Sequence, residues 1–164
     1  MCTYTNFYDG GVAPQKLTQG EMPLADHAFY GLVWASTTLT EQVGQALHEA
    51  HGLSLAWFEV MLWLAHQPEP VSASALGNST MLSRSQVSRV LDALEERKLV
   101  SRTPSPKDGR SVEVALTRAG RQVFAAADET RRRQLKPLFT DPLDDADLAA
   151  LDAIWHKLKR GRAG

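Results

Sequence analysis

Cysteine is nearly absent from this chain. The one residue, Cys2, excludes an intrachain disulfide framework and a multi-cysteine metal site within one protomer. Long apolar runs are lacking too. The stretch from Leu53 to Ala65 is interrupted by Ser54 and Glu59 and falls short of the ~20 apolar residues that a spanning helix needs. No charged n-region precedes an apolar core at Met1, so no signal peptide is read there. A soluble, cytoplasmic protein with no membrane partner is expected. Gly-rich phosphate loops, strand-turn nucleophiles and paired carboxylates are missing as well, so neither an enzyme nor a cofactor is expected. Positive charge is scarce at the start: residues 1–80 hold one basic residue, Lys16, against seven acidic ones.

What is present is globular. The 164 residues, 43% hydrophobic and 23% charged, match one domain of ordinary size. The net charge of −1 conceals an uneven distribution, because residues 81–140 carry thirteen basic and seven acidic residues. A basic segment within a near-neutral chain points to a polyanionic partner. Residues 1–22, rich in Gly, Thr, Gln and Asn, read as a mobile arm, and 23–164 as one domain.

Apolar residues at Ala28, Leu32, Ala35, Leu39, Val43, Leu47 and Ala50 recur in steps of three and four, which predicts a helix of about 25 residues starting at Pro23. A second helix starts with Ser54 as its cap and stops near Pro68 and Pro70. A third covers Ala73 to Asn78. Ser83 followed by Gln86 is a capping-box signature for a fourth. On that helix Val87, Val90, Leu91 and Leu94 form an apolar stripe, opposite Ser85, Arg89, Asp92 and Glu96. Its outward donors come first and its acids trail. Such an order suits a helix entering the DNA major groove by its N-terminus, where Arg and Gln reach base edges and hydroxyls meet phosphate.

Leu99 to Thr103 has strand character, Pro104 to Gly109 is turn chemistry, and Val112, Val114 and Leu116 alternate with polar or small residues, so a two-stranded ribbon follows. Its tip, Lys107 to Arg110, is basic. Helix, turn, helix and basic hairpin together make a winged helix, and the fold expected is mainly α with a small β-hairpin wing. Thr117 caps a further helix through Val123, Phe124 and Ala127 to about Leu135. Asp144 caps a last one with the stripe Leu148, Leu151, Ile154, Trp155 and Leu158. With the first helix, these leave three apolar faces that a second chain would bury. Arg131-Arg132-Arg133 reads as a solvated helix face.

Taken together, Leu53-Ser54 with Phe58 and Val60, Val87-Ser88-Arg89 running on to Glu95, Leu99-Val100-Ser101-Arg102, and Asp108-Gly109-Arg110 leading to Leu116-Thr117-Arg118-Ala119-Gly120 resemble the MarR family of bacterial transcriptional regulators, over about residues 24–160. The resemblance implies a homodimeric, ligand-responsive repressor, with a winged helix-turn-helix at about 53–117 and dimerisation helices at about 24–50 and 118–160. It implies the helix from Arg84 in the major groove and the wing at Arg110 in the minor groove of a pseudo-palindromic duplex operator. The DNA-contacting set is then Ser83, Arg84, Ser85, Gln86, Ser88, Arg89, Arg102, Lys107, Asp108 and Arg110. Two departures stand out. Lys98 occupies the place where the family usually has a glycine closing the recognition helix, which requires a left-handed non-glycine residue or a different helix end. Thr80-Met81 replaces the expected leucine and glycine in the turn before that helix.

Family members commonly bind small aromatic or phenolic acids between the dimer helices and the DNA-binding lobe. The candidates there are His27, Tyr30, Trp34, Trp57 and Phe58, each also readable as core packing, with Arg89 or Arg102 as counter-charge. Three other readings are carried: a winged-helix protein-interaction module, redox sensing at Cys2, and zinc sensing at His48-Glu49-Ala50-His51, which lacks one residue of the zinc-protease spacing and has no evident carboxylate set. No metal is expected.

Overall fold

Side-chain caps decide where the helices begin. In the computed structural model, which describes residues 22–105 and 111–160, the elements run α1 Leu24–His51, α2 Leu55–Ala65, β1 Val71–Ser72, α3 Ala73–Ser79, α4 Arg84–Glu96, β2 Val100–Pro104, β3 Val112–Leu116, α5 Arg118–Leu135 and α6 Asp145–Arg160. Ser54, Ser72 and Ser83 accept the amides of Trp57, Ala75 and Gln86 at 3.2, 3.2 and 3.3 Å. Thr117 and Asp144 do the same for Gly120 and Asp147, both at 2.9 Å. Each cap satisfies an amide that the helix cannot, a contribution of about 1 kcal/mol. The arm, Cys2 and the wing tip with Lys107, Asp108 and Arg110 lie outside the described residues.

The chain divides at Thr37 into two units. The described part of the first, residues 22–37, is the beginning of α1, where Phe29, Tyr30, Leu32, Val33 and Trp34 are all exposed. The second, from Thr38 on, holds the core. Val43 and Leu47 of α1, Val60 and Met61 of α2, Leu76 of α3, Val87, Leu91 and Leu94 of α4, and Val114 and Leu116 of β3 form one buried cluster. The apolar stripe expected on α4 is thus the face that attaches it.

The sheet has three strands rather than the expected two, ordered β1-β3-β2 and antiparallel throughout. Pairing of β2 with β3 runs from Val100↔Leu116 to Pro104↔Val112, and β1 adds Val71↔Val114 and Ser72↔Glu113. A two-residue strand is too short to display an alternation, which is why β1 escapes a reading by period.

Two junctions fix how the wing leaves α4. Lys98 takes the left-handed conformation at φ +59°, and its carbonyl accepts the Thr117 hydroxyl at 2.8 Å. Gly120 packs so tightly on the Leu99 carbonyl that a Cβ there would lie 1.9 Å from the oxygen.

Helix α5 corrects one expectation. Its apolar face is covered within the protomer: Ala127 is fully buried, Phe124 stacks on Phe58 at 5.7 Å, and Val123 packs on the core. The apolar stripe was legible, but periodicity does not say what covers it. After Leu135 the helix widens into a π turn, Lys136–Thr140. Pro137 supplies no N–H to the α-helical ladder, and the Asp141 amide closes the wider ring on the Lys136 carbonyl at 2.8 Å instead. On α6, Leu151, Ile154, Trp155 and Leu158 stay exposed.

Candidate nucleic-acid interface

Helix α4 presents its first turns to solvent with their polarity intact. Ser83, Arg84, Ser85, Gln86, Ser88 and Arg89 are exposed, while Val87 among them and Val90 just after are buried. The capping box is complete: Gln86 Oε1 accepts the Ser83 amide at 2.8 Å, and Ser83 Oγ accepts the Gln86 amide. Gln86 keeps its Nε2 donor for an outside acceptor. Ser83 and Ser85 also share a hydroxyl contact of 3.1 Å. The stem of Arg84 lies over Gly77 of α3, whose added Cβ would sit 3.5 Å from Arg84 Cγ. Arg89 extends from the outer face.

Arg102 stands apart from the other sequence-selected cations. From β2 it reaches back to α4, donating to Asp92 Oδ1 at 2.7 Å and approaching Glu95 Oε2 at 3.4 Å. The guanidinium therefore ties the base of the wing to the recognition helix and offsets the two carboxylates behind the basic first turns. Between α4 and the sheet runs a groove of about 350 Å³, lined by Arg84, Ser88, Leu91, Arg102, Val112 and Val114 among others. Its lining is mostly apolar, with Val87, Leu91, Val112 and Val114 beside the two arginine side chains.

One functional contact has no local signal in the sequence. Glu59 of α2 accepts the Met81 amide at 2.9 Å across the helix-turn-helix, pinning the turn that precedes α4. Met81 itself is 88% exposed.

The aromatic candidates are placed on α1 and α2. His27, Tyr30 and Trp34 are exposed on α1, where Tyr30 meets Phe29 edge-on at 5.3 Å. Phe58 is 2% exposed, stacked on Phe124 and capped by the Arg131 guanidinium at 5.8 Å, so its ring is used in packing. Trp57 lies under Arg97 at 5.4 Å. The arginine triplet departs from a simple solvated face: Arg131 and Arg132 both bind the buried Asp128 at 2.7 Å. His51 bonds Thr130 at 2.9 Å, and no group of three or more His, Cys, Asp or Glu side chains is gathered among the described residues. No described helix is long and apolar enough to cross a membrane.

Helices α2 to α4 with the attached antiparallel wing make a winged helix-turn-helix. A sequence profile of the MarR family matches residues 51–111. The chain is 28% identical over 119 residues to a putative transcriptional regulatory protein for the hcr operon of Thauera aromatica, covering 73% of this chain and 70% of that one. Among solved structures, the transcriptional repressor CouR bound to a 23-mer DNA duplex is 28% identical with a TM-score of 0.74, covering 88% of this chain and 99% of that one. Sco3205 of Streptomyces coelicolor, a MarR-family regulator in complex with DNA, shares the fold at a TM-score of 0.79 and 21% identity over 88% and 92% of the two chains. Residues 51–111 thus match the MarR family, and over most of its length the chain is similar in fold to MarR-family regulators.

Proposed function

We propose that the protein is a homodimeric, sequence-specific repressor that inserts α4 into the major groove of each half of a pseudo-palindromic operator. The observation that carries this reading is the exposed first face of α4. Gln86 Nε2 and Arg89 read base edges, and Ser85 and Ser88 position the helix on phosphate. Arg110 and Lys107, in the segment between β2 and β3, are assigned to the adjacent minor groove, with Asp108 between them in sequence. Arg102 acts on DNA through the wing it anchors rather than by contact.

Dimerisation is supported by the exposed stripes on α1 and α6, Phe29 to Trp34 and Leu151 to Leu158. Each is too large and too continuous to be ordinary scattered surface. A second copy covers them and sets the two α4 helices roughly 34 to 36 Å apart, one turn of duplex.

A small aromatic acid is the proposed releasing ligand. Two settings on the protein suit it: the half-exposed Tyr30 and Trp34 on α1, with His27 nearby in sequence, and the groove beside α4, lined by Arg84 and Arg102 together with Leu91, Val112 and Val114. Trp57 under Arg97 is a third setting, an aromatic ring paired with a cation. The test is binding of the purified protein to the intergenic DNA upstream of its own gene at several salt concentrations, with and without salicylate. Salt-sensitive, sequence-preferring binding that salicylate releases supports the whole reading. Binding that no aromatic acid disturbs removes the ligand class, and failure to bind any duplex overturns the DNA-binding role.

A further inference from the structure

Outside residues 22–37 and α6, the described residues hold three exposed large hydrophobic side chains: Trp63 at 39%, Val112 at 43% and Met81 at 88%. The first two are only just exposed, whereas Met81 stands almost wholly in solvent. It also stands in a distinctive place, three residues before the first residue of α4 and between Ser79-Thr80 and Ser83-Arg84. The folding role of an apolar residue at this helix entry is already filled by its neighbour Leu82, which packs on the core.

Its backbone is held unusually well for a turn. Thr80 donates both its amide and its hydroxyl to the Leu76 carbonyl at 2.9 Å. Glu59 Oε1 takes the Met81 amide at 2.9 Å, and Gln86 Oε1 takes the Ser83 amide at 2.8 Å. Contacts made by a side chain on such a support lose little freedom to backbone ordering on binding. The side chain itself is unbranched and polarisable, suited to an irregular apolar surface. Duplex DNA offers one large apolar group in the major groove, the thymine C5-methyl.

Resting on the DNA-binding reading above, we infer that Met81 packs against a thymine methyl at the flank of each operator half-site and so determines part of the sequence preference. The contact is neutral, so it adds discrimination without adding to the salt dependence that phosphate contacts produce.

The test uses the full-length protein and an operator selected from random duplexes. Each thymine is replaced singly by deoxyuridine, which removes only the methyl. Wild-type protein is expected to bind about three- to tenfold more weakly when one particular thymine per half-site is changed, the scale of one or two buried methyl-sized groups. Met81→Ala should lose the same factor on the thymine operator and be indifferent to deoxyuridine at that position. Its salt slope should stay that of wild type, and Met81→Leu should recover most of the discrimination. The inference is overturned if Met81→Ala binds the thymine operator like wild type, or if it remains as sensitive to deoxyuridine as wild type. If wild-type protein selects no duplex at all, the DNA-binding reading falls and this one with it; wild-type binding alongside an unaffected Met81→Ala removes only this one.

Discussion

Lys98 holds a conformation that costs an L-residue with a Cβ about 1 kcal/mol and glycine almost nothing. Its φ of +59° settles the choice that the sequence left open at the end of the recognition helix: the helix closes as a glycine would close it, without the glycine. Lys98→Gly is therefore expected to raise unfolding stability by ~1 kcal/mol in urea denaturation, and Lys98→Ala to leave it nearly unchanged. Gly120 is the opposite case, since its Cβ position is occupied by the Leu99 carbonyl oxygen. Gly120→Ala should destabilise by more than ~3 kcal/mol, seen as a lowered midpoint or as failure to fold, because the oxygen belongs to the backbone and cannot swing aside. The need for a special residue at 98 was visible from the family resemblance, which expects a glycine there. The need at 120 depends on a partner twenty-one positions earlier and was not.

At the scale of elements, α4 was the most legible part of the fold because everything that builds it is local: the Ser83 and Gln86 box, the i, i+3, i+4 stripe, and the order of donors before acids. What lay hidden was the connection of elements to one another. Arg102 was read as a DNA contact because a cation on a wing strand looks the same from the sequence whether it faces phosphate or Asp92. The pairing separates the two roles by sign. If Arg102 acts as a tie, Asp92→Ala should weaken operator binding despite removing a negative charge, and Arg102→Ala should weaken it similarly. Both should cost only ~0.5 to 1 kcal/mol of stability, because Asp92 is largely exposed. Stronger binding by Asp92→Ala would count against the tie. Gln86→Ala should lower stability by ~1 kcal/mol through its half of the capping box, and relax base preference at one position per half-site besides.

For the whole molecule, the quantity to measure is mass in solution. If the proposed dimer forms through the α6 stripe, a charge placed there, Ile154→Glu or Trp155→Glu, shifts the protein to monomer in sedimentation while leaving its helical circular dichroism intact. The monomer should bind operator at least a hundredfold more weakly and with roughly half the salt slope, since one half-site's phosphates are then engaged instead of two. Retained dimers would place the interface elsewhere. The bonding of Gln86 also bears on how such a regulator changes over generations. A substitution that retunes Gln86 to a new base also opens the cap of the helix that carries it, so the same mutation is selected against for folding. The side chains of Ser88 and Arg89 make no hydrogen bond or ion pair with other described residues, and exchanging either leaves the cap closed. Descendants of this protein that answer to altered operators should therefore diverge first at Ser88 and Arg89 and keep Gln86 longest.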